Sequence, residues 1–84
     1  MSNLALQINI GKTLADKLKT AEIYDMEELK AIGAENAFIR LHTIDKSACI
    51  NMLYALEGAI QGIRWHNLSI ERKQALQIFY KQLR

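Results

Sequence analysis

The fold is decided by residues 49–63, which read CINMLYALEGAIQGI. Apolar side chains recur in this segment at steps of three and four, the spacing that places them on one face of a helix over about four turns. They are Cys49, Met52, Leu53, Leu56, Ile60 and Ile63. This stripe predicts the central helix of a bundle, with the Cys49 thiol buried on its apolar face. Gly58 and Gly62, in its second half, indicate that another helix crosses closely there or that the helix frays.

Three helices are predicted on the N-terminal side of this segment, and the first two have clear local signals. Leu14 and Leu18 stand one helical turn apart and indicate a helix over about residues 12–21. Asp25 is expected to cap a second helix, because its carboxylate can accept a backbone N–H from the first turn. Gly33 is expected to end that second helix.

The third helix, the central helix and a fifth helix complete the prediction. A third helix covers about residues 34–43, and the central helix follows it with Asp45 as its expected cap. Residues 64–68 form a corner, and Ser69 is expected to cap a fifth helix. The sequence therefore predicts one all-α domain over residues 1–84, a compact five-helix bundle.

Composition bounds the function as well as the fold. The chain has 84 residues, half of them apolar and none of them proline, which is typical of one packed globular domain. Its net charge of +2 is too small for a domain held to DNA mainly by phosphate neutralisation, so any nucleic-acid contact is expected to be local. A single cysteine cannot form an internal disulfide, and no stretch has the pattern of a signal peptide or membrane span. We therefore expect a cytoplasmic protein.

One short pattern, Ile-Gly-x-x-x-Ala, occurs twice, at residues 10–15 and 32–37. Its isoleucine can fill the core, its glycine permits a tight turn, and its alanine lets two helices approach closely. Turns of this kind recur in helix-hairpin-helix modules. The repeat therefore favours a bundle of the helix-hairpin-helix, SAM-like type.

Two longer stretches carry a resemblance to a known family. Residues 9–18 read NIGKTLADKL and residues 51–66 read NMLYALEGAIQGIRWH. Together with residues 26–29 and 33–34, they resemble the C-terminal domain of TfoX/Sxy-type regulators of DNA-transformation competence in bacteria. The resemblance implies a stand-alone TfoX C-terminal domain, without the N-terminal domain of full-length members. It also implies a helix-hairpin-helix-like bundle and a role in competence regulation.

The first candidate site is the turn from Asn9 to Lys12. A hairpin turn at a helix N-terminus presents backbone N–H groups, and the helix dipole adds to their attraction for a phosphate. Asn9 and Gly11 would form the turn, while Lys12 and Lys17 would supply positive charge toward a DNA backbone. In the alternative interpretation, Asn9 only caps the helix and the lysines form a solvated face.

The second candidate site is the basic and aromatic cluster Arg64, Trp65 and His66. Placed at a corner between helices, it could hold a side chain of a protein partner or stack on a base. In the alternative interpretation, Trp65 closes the end of the bundle by packing, and His66 satisfies a backbone group.

No pattern in the sequence predicts catalysis. A nucleophilic pair would need Cys49 beside His42 or His66, but Cys49 is expected to be buried, and these three residues do not have zinc-ligand spacing. We therefore expect no catalytic residue, no metal and no cofactor.

The sequence predicts a non-enzymatic regulatory binding module that acts through protein–protein contacts. The alternative is direct, largely sequence-independent DNA binding through the helix-hairpin-helix turn, which would weaken steeply with salt. A homodimer through Gly58 and Gly62, or through Trp65, is a further expectation.

Overall fold

The computed structural model describes residues 10–83, and within them the chain forms four α-helices and no strand. The helices are α1 (Lys12–Thr20), α2 (Met26–Ile44), α3 (Ile50–Gln61) and α4 (Ile70–Leu83). A short 3₁₀ turn at Trp65–Asn67 lies between α3 and α4. The predicted all-α class is confirmed, whereas four α-helices stand where five were predicted.

The difference in helix number arises at Gly33. The second and third predicted helices are the two helical segments of α2, and they meet directly at Gly33, whose φ of 83° and ψ of 162° are not helical. This backbone conformation is essentially restricted to glycine, and it kinks the helix. Gly33 therefore changes the direction of the chain without opening a loop, and a sequence pattern does not distinguish such a kink from a helix end.

Gly62 ends α3 instead of lying within it. Its φ of 75° is left-handed, and the N–H of Ile63 donates to the carbonyl of Gly58 at 2.9 Å. This pairing is the hydrogen-bond pattern of a Schellman cap, in which glycine is favoured. The prediction that Gly62 lies in a crossing or fraying stretch of helix is therefore wrong, while Gly58 is buried inside α3.

Two expectations at the start of α3 are also wrong. Asp45 does not cap α3: it follows the last residue of α2, and its carboxylate accepts from the N–H of Ser47 at 3.0 Å. Cys49 occupies the N-cap position of α3 and is exposed. Because α3 begins only at Ile50, Cys49 does not continue the buried stripe that follows it.

The predicted caps of the other two helices are confirmed. The Asp25 carboxylate accepts from the N–H of Glu28 at 2.9 Å. The hydroxyl of Ser69 accepts from the N–H of Arg72 at 3.1 Å. Both caps satisfy N–H groups that the first turn of a helix leaves unpaired.

The core lies between α2 and α3, with α1 and α4 packed against them. Its fully buried large side chains come from every helix and from the α1–α2 turn. They are Leu18, Ile23, Leu29, Phe38, Leu41, Leu53, Leu56 and Leu76. Leu53 and Leu56 confirm the predicted apolar face of the central helix. Among the described residues, no helix is long and apolar enough to cross a membrane.

Candidate functional site

The hairpin turn is described from Ile10 onward, so Asn9 lies outside the described residues. Gly11 is the N-cap of α1, with extended φ and ψ of −96° and −176°, and its carbonyl accepts from the N–H of Ala15 at 2.9 Å. Gly11 and Lys12 are both exposed. A Cβ at Gly11 would meet nothing within 4 Å, so the fold leaves open space beside the first turn of α1.

Lys17 is engaged elsewhere in the molecule. Its ammonium donates to the carboxylate of Asp45 and forms an ion pair that joins α1 to the end of α2. The hydrogen bond from Lys17, followed by those from Ser47, lowers the pKa of Asp45 from 3.8 to about 2. The structure thus places Gly11 and Lys12 together, while the Lys17 charge is directed toward Asp45.

The corner surface, which we define as Arg64, Trp65 and His66, is built around a stack of rings. The Trp65 ring lies 5.5 Å from that of Tyr54 at an interplanar angle of 16°, and 3.9 Å from that of His66 at 25°. Lys73 lies 5.9 Å from the Trp65 ring centroid, and its ammonium donates to the His66 carbonyl at 3.1 Å. Trp65 is half-buried, whereas Arg64 and His66 are exposed.

Next to this stack lies a groove of about 270 Å³ between the start of α3 and the end of α4. It is lined by Ile50, Tyr54, Gln77, Tyr80 and Lys81. Gln77 donates to the Tyr54 hydroxyl at 2.8 Å, which fixes one wall of the groove. Tyr54 belongs to both features, because it is one of the residues that line the groove and its ring stacks on that of Trp65.

Sequence reasoning missed the groove. Its walls come from two helices, and neither stretch has a local motif. The one signal in the sequence is the placement of Tyr54 and Tyr80 among apolar helix positions, where each phenol oxygen requires a polar neighbour or solvent.

A partly buried polar cluster ties three helices together. One guanidinium nitrogen of Arg72, in α4, donates at 2.9 Å to Glu35 in α2 and at 2.9 Å to Glu57 in α3. Gln61 donates to the other oxygen of Glu57. Only 8% of Glu57 is exposed, and among the described residues no buried side-chain nitrogen or oxygen lacks a hydrogen-bond partner.

The electrostatics of this cluster indicate a structural role. Burial alone would raise the pKa of Glu57, but the hydrogen bonds from Arg72 and Gln61 outweigh burial and hold that pKa below its usual value. The hydrogen bond to Glu57 in turn raises the pKa of Arg72. Both groups therefore stay charged and paired at neutral pH.

The structure gives the surroundings of two residues weighed for catalysis, Cys49 and His42. Cys49 is exposed at the start of α3, and the ring of His42 stacks on that of Phe38 at 6.1 Å. Across residues 10–83, no group of three or more His, Cys, Asp or Glu side chains could hold a metal ion.

The described residues therefore form a small all-α domain with three exposed features: a helix-opening turn, an aromatic corner and an apolar groove. The chain belongs to the TfoX C-terminal domain family, whose model matches residues 1–80. No curated protein matches the chain.

Two solved structures are similar to the chain over almost its whole length. One is an uncharacterized protein from Listeria monocytogenes in a triclinic crystal form, 46% identical, with a TM-score of 0.95, covering 98% of this chain and 93% of that one. The other is a protein of unknown function from Listeria monocytogenes in a tetragonal form, also 46% identical. Its TM-score is 0.94, and the match covers 96% of this chain and 100% of that one.

Proposed function

We propose that this chain is a non-enzymatic regulatory binding module of the competence-regulator type, and that it acts through a protein partner held at the corner surface and the adjoining groove. Membership of the TfoX C-terminal domain family supports the regulatory part. One observation supports this surface over the others: Tyr54 lines the apolar groove and its ring also stacks on that of Trp65, so the groove and the corner surface adjoin.

The chemistry of this surface suits a protein segment. Aromatic and arginine side chains carry a large share of the energy in protein interfaces, and Tyr54, Tyr80 and Arg64 are of these types. The groove, at about 270 Å³, is just below the roughly 300–1,000 Å³ of most small-molecule sites, so an apolar side chain of a partner fits it better than a cofactor. Lys81, at its edge, favours a carboxylate beside that side chain.

Direct DNA binding through the hairpin is the second candidate. The open space at Gly11 and the exposed first turn of α1 favour it, because a phosphate could approach the backbone N–H groups there. The ion pair between Lys17 and Asp45 weighs against it, since that pair neutralises one of the two lysines that the phosphate site requires.

A matched pair of charge reversals separates the two candidates: Arg64→Glu on the corner surface and Lys12→Glu at the hairpin. Both side chains are exposed and belong to none of the ion pairs among the described residues. Each variant would replace the native chain in its own host, and transcripts of the competence genes would be measured. We expect Arg64→Glu to reduce the regulatory effect to that of a deletion and Lys12→Glu to retain it.

Two other results would contradict this expectation. If Arg64→Glu retains full regulation and Lys12→Glu loses it, the functional surface is the hairpin and not the corner surface. Unchanged transcripts on deletion of the whole chain would contradict a role in competence regulation.

A titration of the purified protein with labelled duplex DNA tests the second candidate directly. Micromolar binding that weakens with salt and in Lys12→Glu would support direct DNA binding. Absence of binding even at low salt would exclude it and leave the hairpin as architecture.

A further inference from the structure

The outer face of α4 is turned away from the core. Leu76 is the one buried residue that α4 contributes within the described part of the chain. Five exposed residues lie on the opposite side of the helix, and we define them as the outer face: Ile70, Glu71, Gln74, Ile78 and Lys81. Ile70 is 71% exposed and Ile78 is 59% exposed, the highest values among the large apolar side chains described.

The charges on this face are arranged as two ends of opposite sign. Glu71 lies in the first turn of α4 and Lys81 in the last turn, with Ile78 between them. Within residues 10–83, neither Glu71 nor Lys81 takes part in an ion pair. A second α4 running antiparallel to the first would therefore meet opposite charge at each end.

We infer that the outer face of α4 binds the same face of a second copy of this chain, with the two helices antiparallel about a two-fold axis. A two-fold contact is self-complementary, because each residue that meets a partner residue is met by its own counterpart in return. Glu71 of each copy then lies opposite Lys81 of the second copy, and the attraction forms twice. A second copy of α4 supplies both of the required opposite charges at the matching spacing.

The same register also places the apolar side chains together. We place the two-fold axis midway between Gln74 and Ile78. Ile78 of each copy then lies opposite Gln74 of the second copy, one helical turn from the Ile70 of that second copy. Ala75 is exposed beside this position and its small side chain allows the two helices to approach closely. The contact therefore covers both exposed isoleucines of α4 and opposes no like charges among the residues of the outer face.

The expected dimer is weak. A helix of 14 residues is about 21 Å long, so a contact confined to it buries less than the roughly 1,600 Å² of a standard interface. We expect a dissociation constant on the order of 10 µM to 1 mM, visible as a concentration-dependent mass.

The test is sedimentation equilibrium of the full chain over that concentration range, on the native sequence, Glu71→Lys, Lys81→Glu and the double reversal. Each single reversal sets like charges against each other twice, so we expect it to weaken the dimer about tenfold or more. The double reversal restores both pairs and should return the dissociation constant to within about threefold of the native value. Thermal unfolding of each variant checks that the fold is intact.

A matched pair of isoleucine substitutions tests the apolar part of the contact. Ile78→Gln should remove association, whereas Ile44→Gln, at an exposed isoleucine of α2, should leave it unchanged. A native chain that stays monomeric throughout the range would overturn the proposal. So would a dimer that ignores the single reversals, or one that the double reversal fails to restore.

Discussion

Gly33 holds a backbone conformation that other residues rarely adopt. Its φ of 83° with ψ of 162° kinks α2, and a Cβ built there would meet nothing within 4 Å. Position 33 therefore requires glycine because of its backbone conformation, and not because a side chain would lack space. Glu22 is a contrasting case, because it holds a left-handed φ of 67° after α1 without being glycine, and its N–H donates to the carbonyl of Lys19 at 2.9 Å. Glu22 is thus a strained position that the fold tolerates at an exposed helix end.

Gly33→Ala should lower the free energy of unfolding by about 1–3 kcal/mol, the usual cost of forcing a side chain into this region. Gly11→Ala is the control, because it adds the same methyl group into open space at a φ of −96°. It weakens only the helix N-cap, at a cost of about 0.5 kcal/mol. Urea unfolding measures both values, and an equal loss in the two variants would show that Gly33 is not strained.

At the scale of elements, α2, α3 and α4 are joined by one charged side chain. Arg72 bridges Glu35 and Glu57, whose side chains are 36% and 11% exposed. The two contacts differ in energy. Water weakens the attraction between Arg72 and the exposed Glu35, whereas the protein largely excludes water from the pair with Glu57. Apolar packing brings the three helices together. Arg72 favours the arrangement in which its guanidinium neutralises the charge of the Glu57 carboxylate.

Arg72→Met should destabilise the fold by about 2–4 kcal/mol, since it leaves the Glu57 carboxylate buried without its cation. Glu35→Gln removes the exposed partner of the same guanidinium and should cost less than about 1 kcal/mol. The double variant Arg72→Met/Glu57→Leu should recover much of the loss, because no buried charge then remains. Chemical denaturation of the three variants gives these values, and a negligible effect of Arg72→Met would contradict the role assigned to Glu57.

Across the molecule, two of the ion-paired carboxylates, Asp45 and Glu57, make the fold sensitive to acid. Asp45 has its pKa lowered from 3.8 to about 2, chiefly by Lys17, and Glu57 has its pKa lowered by Arg72 and Gln61 despite burial. A lowered pKa in the folded state means that protonation opposes folding. The stability contributed by Asp45 is complete above its ordinary pKa of 3.8 and is lost as the pH falls toward about 2.

Asp45→Asn should therefore make the free energy of unfolding depend less on pH in the acid range. The native chain should lose more stability than the variant between neutral pH and about pH 2.5, because only the native chain takes up the extra proton on unfolding. The measurement is urea unfolding at the two pH values for both proteins. Parallel losses would mean that the contact between Lys17 and Asp45 does not persist in solution.

Much of the helical framework could be predicted from the sequence. The caps at Asp25 and Ser69 and the buried face of α3 depend on residues within one or two turns of each other, and such local patterns are visible in a linear sequence. The same reasoning failed at Asp45 and Cys49. Both precede α3, which begins only at Ile50, just after Cys49 and several residues after Asp45.

The helical class, the family and the amphipathic faces follow from the sequence alone, because these depend on composition and on spacing along the chain. Three contacts become visible only in the folded chain: Lys17 pairs with Asp45, Arg72 bridges two glutamates, and Tyr54 lies at both the groove and the Trp65 stack. These contacts connect residues that lie far apart in sequence. Which distant side chains meet depends on how the helices pack against each other, and that packing minimises the free energy of the whole core instead of following any local pattern.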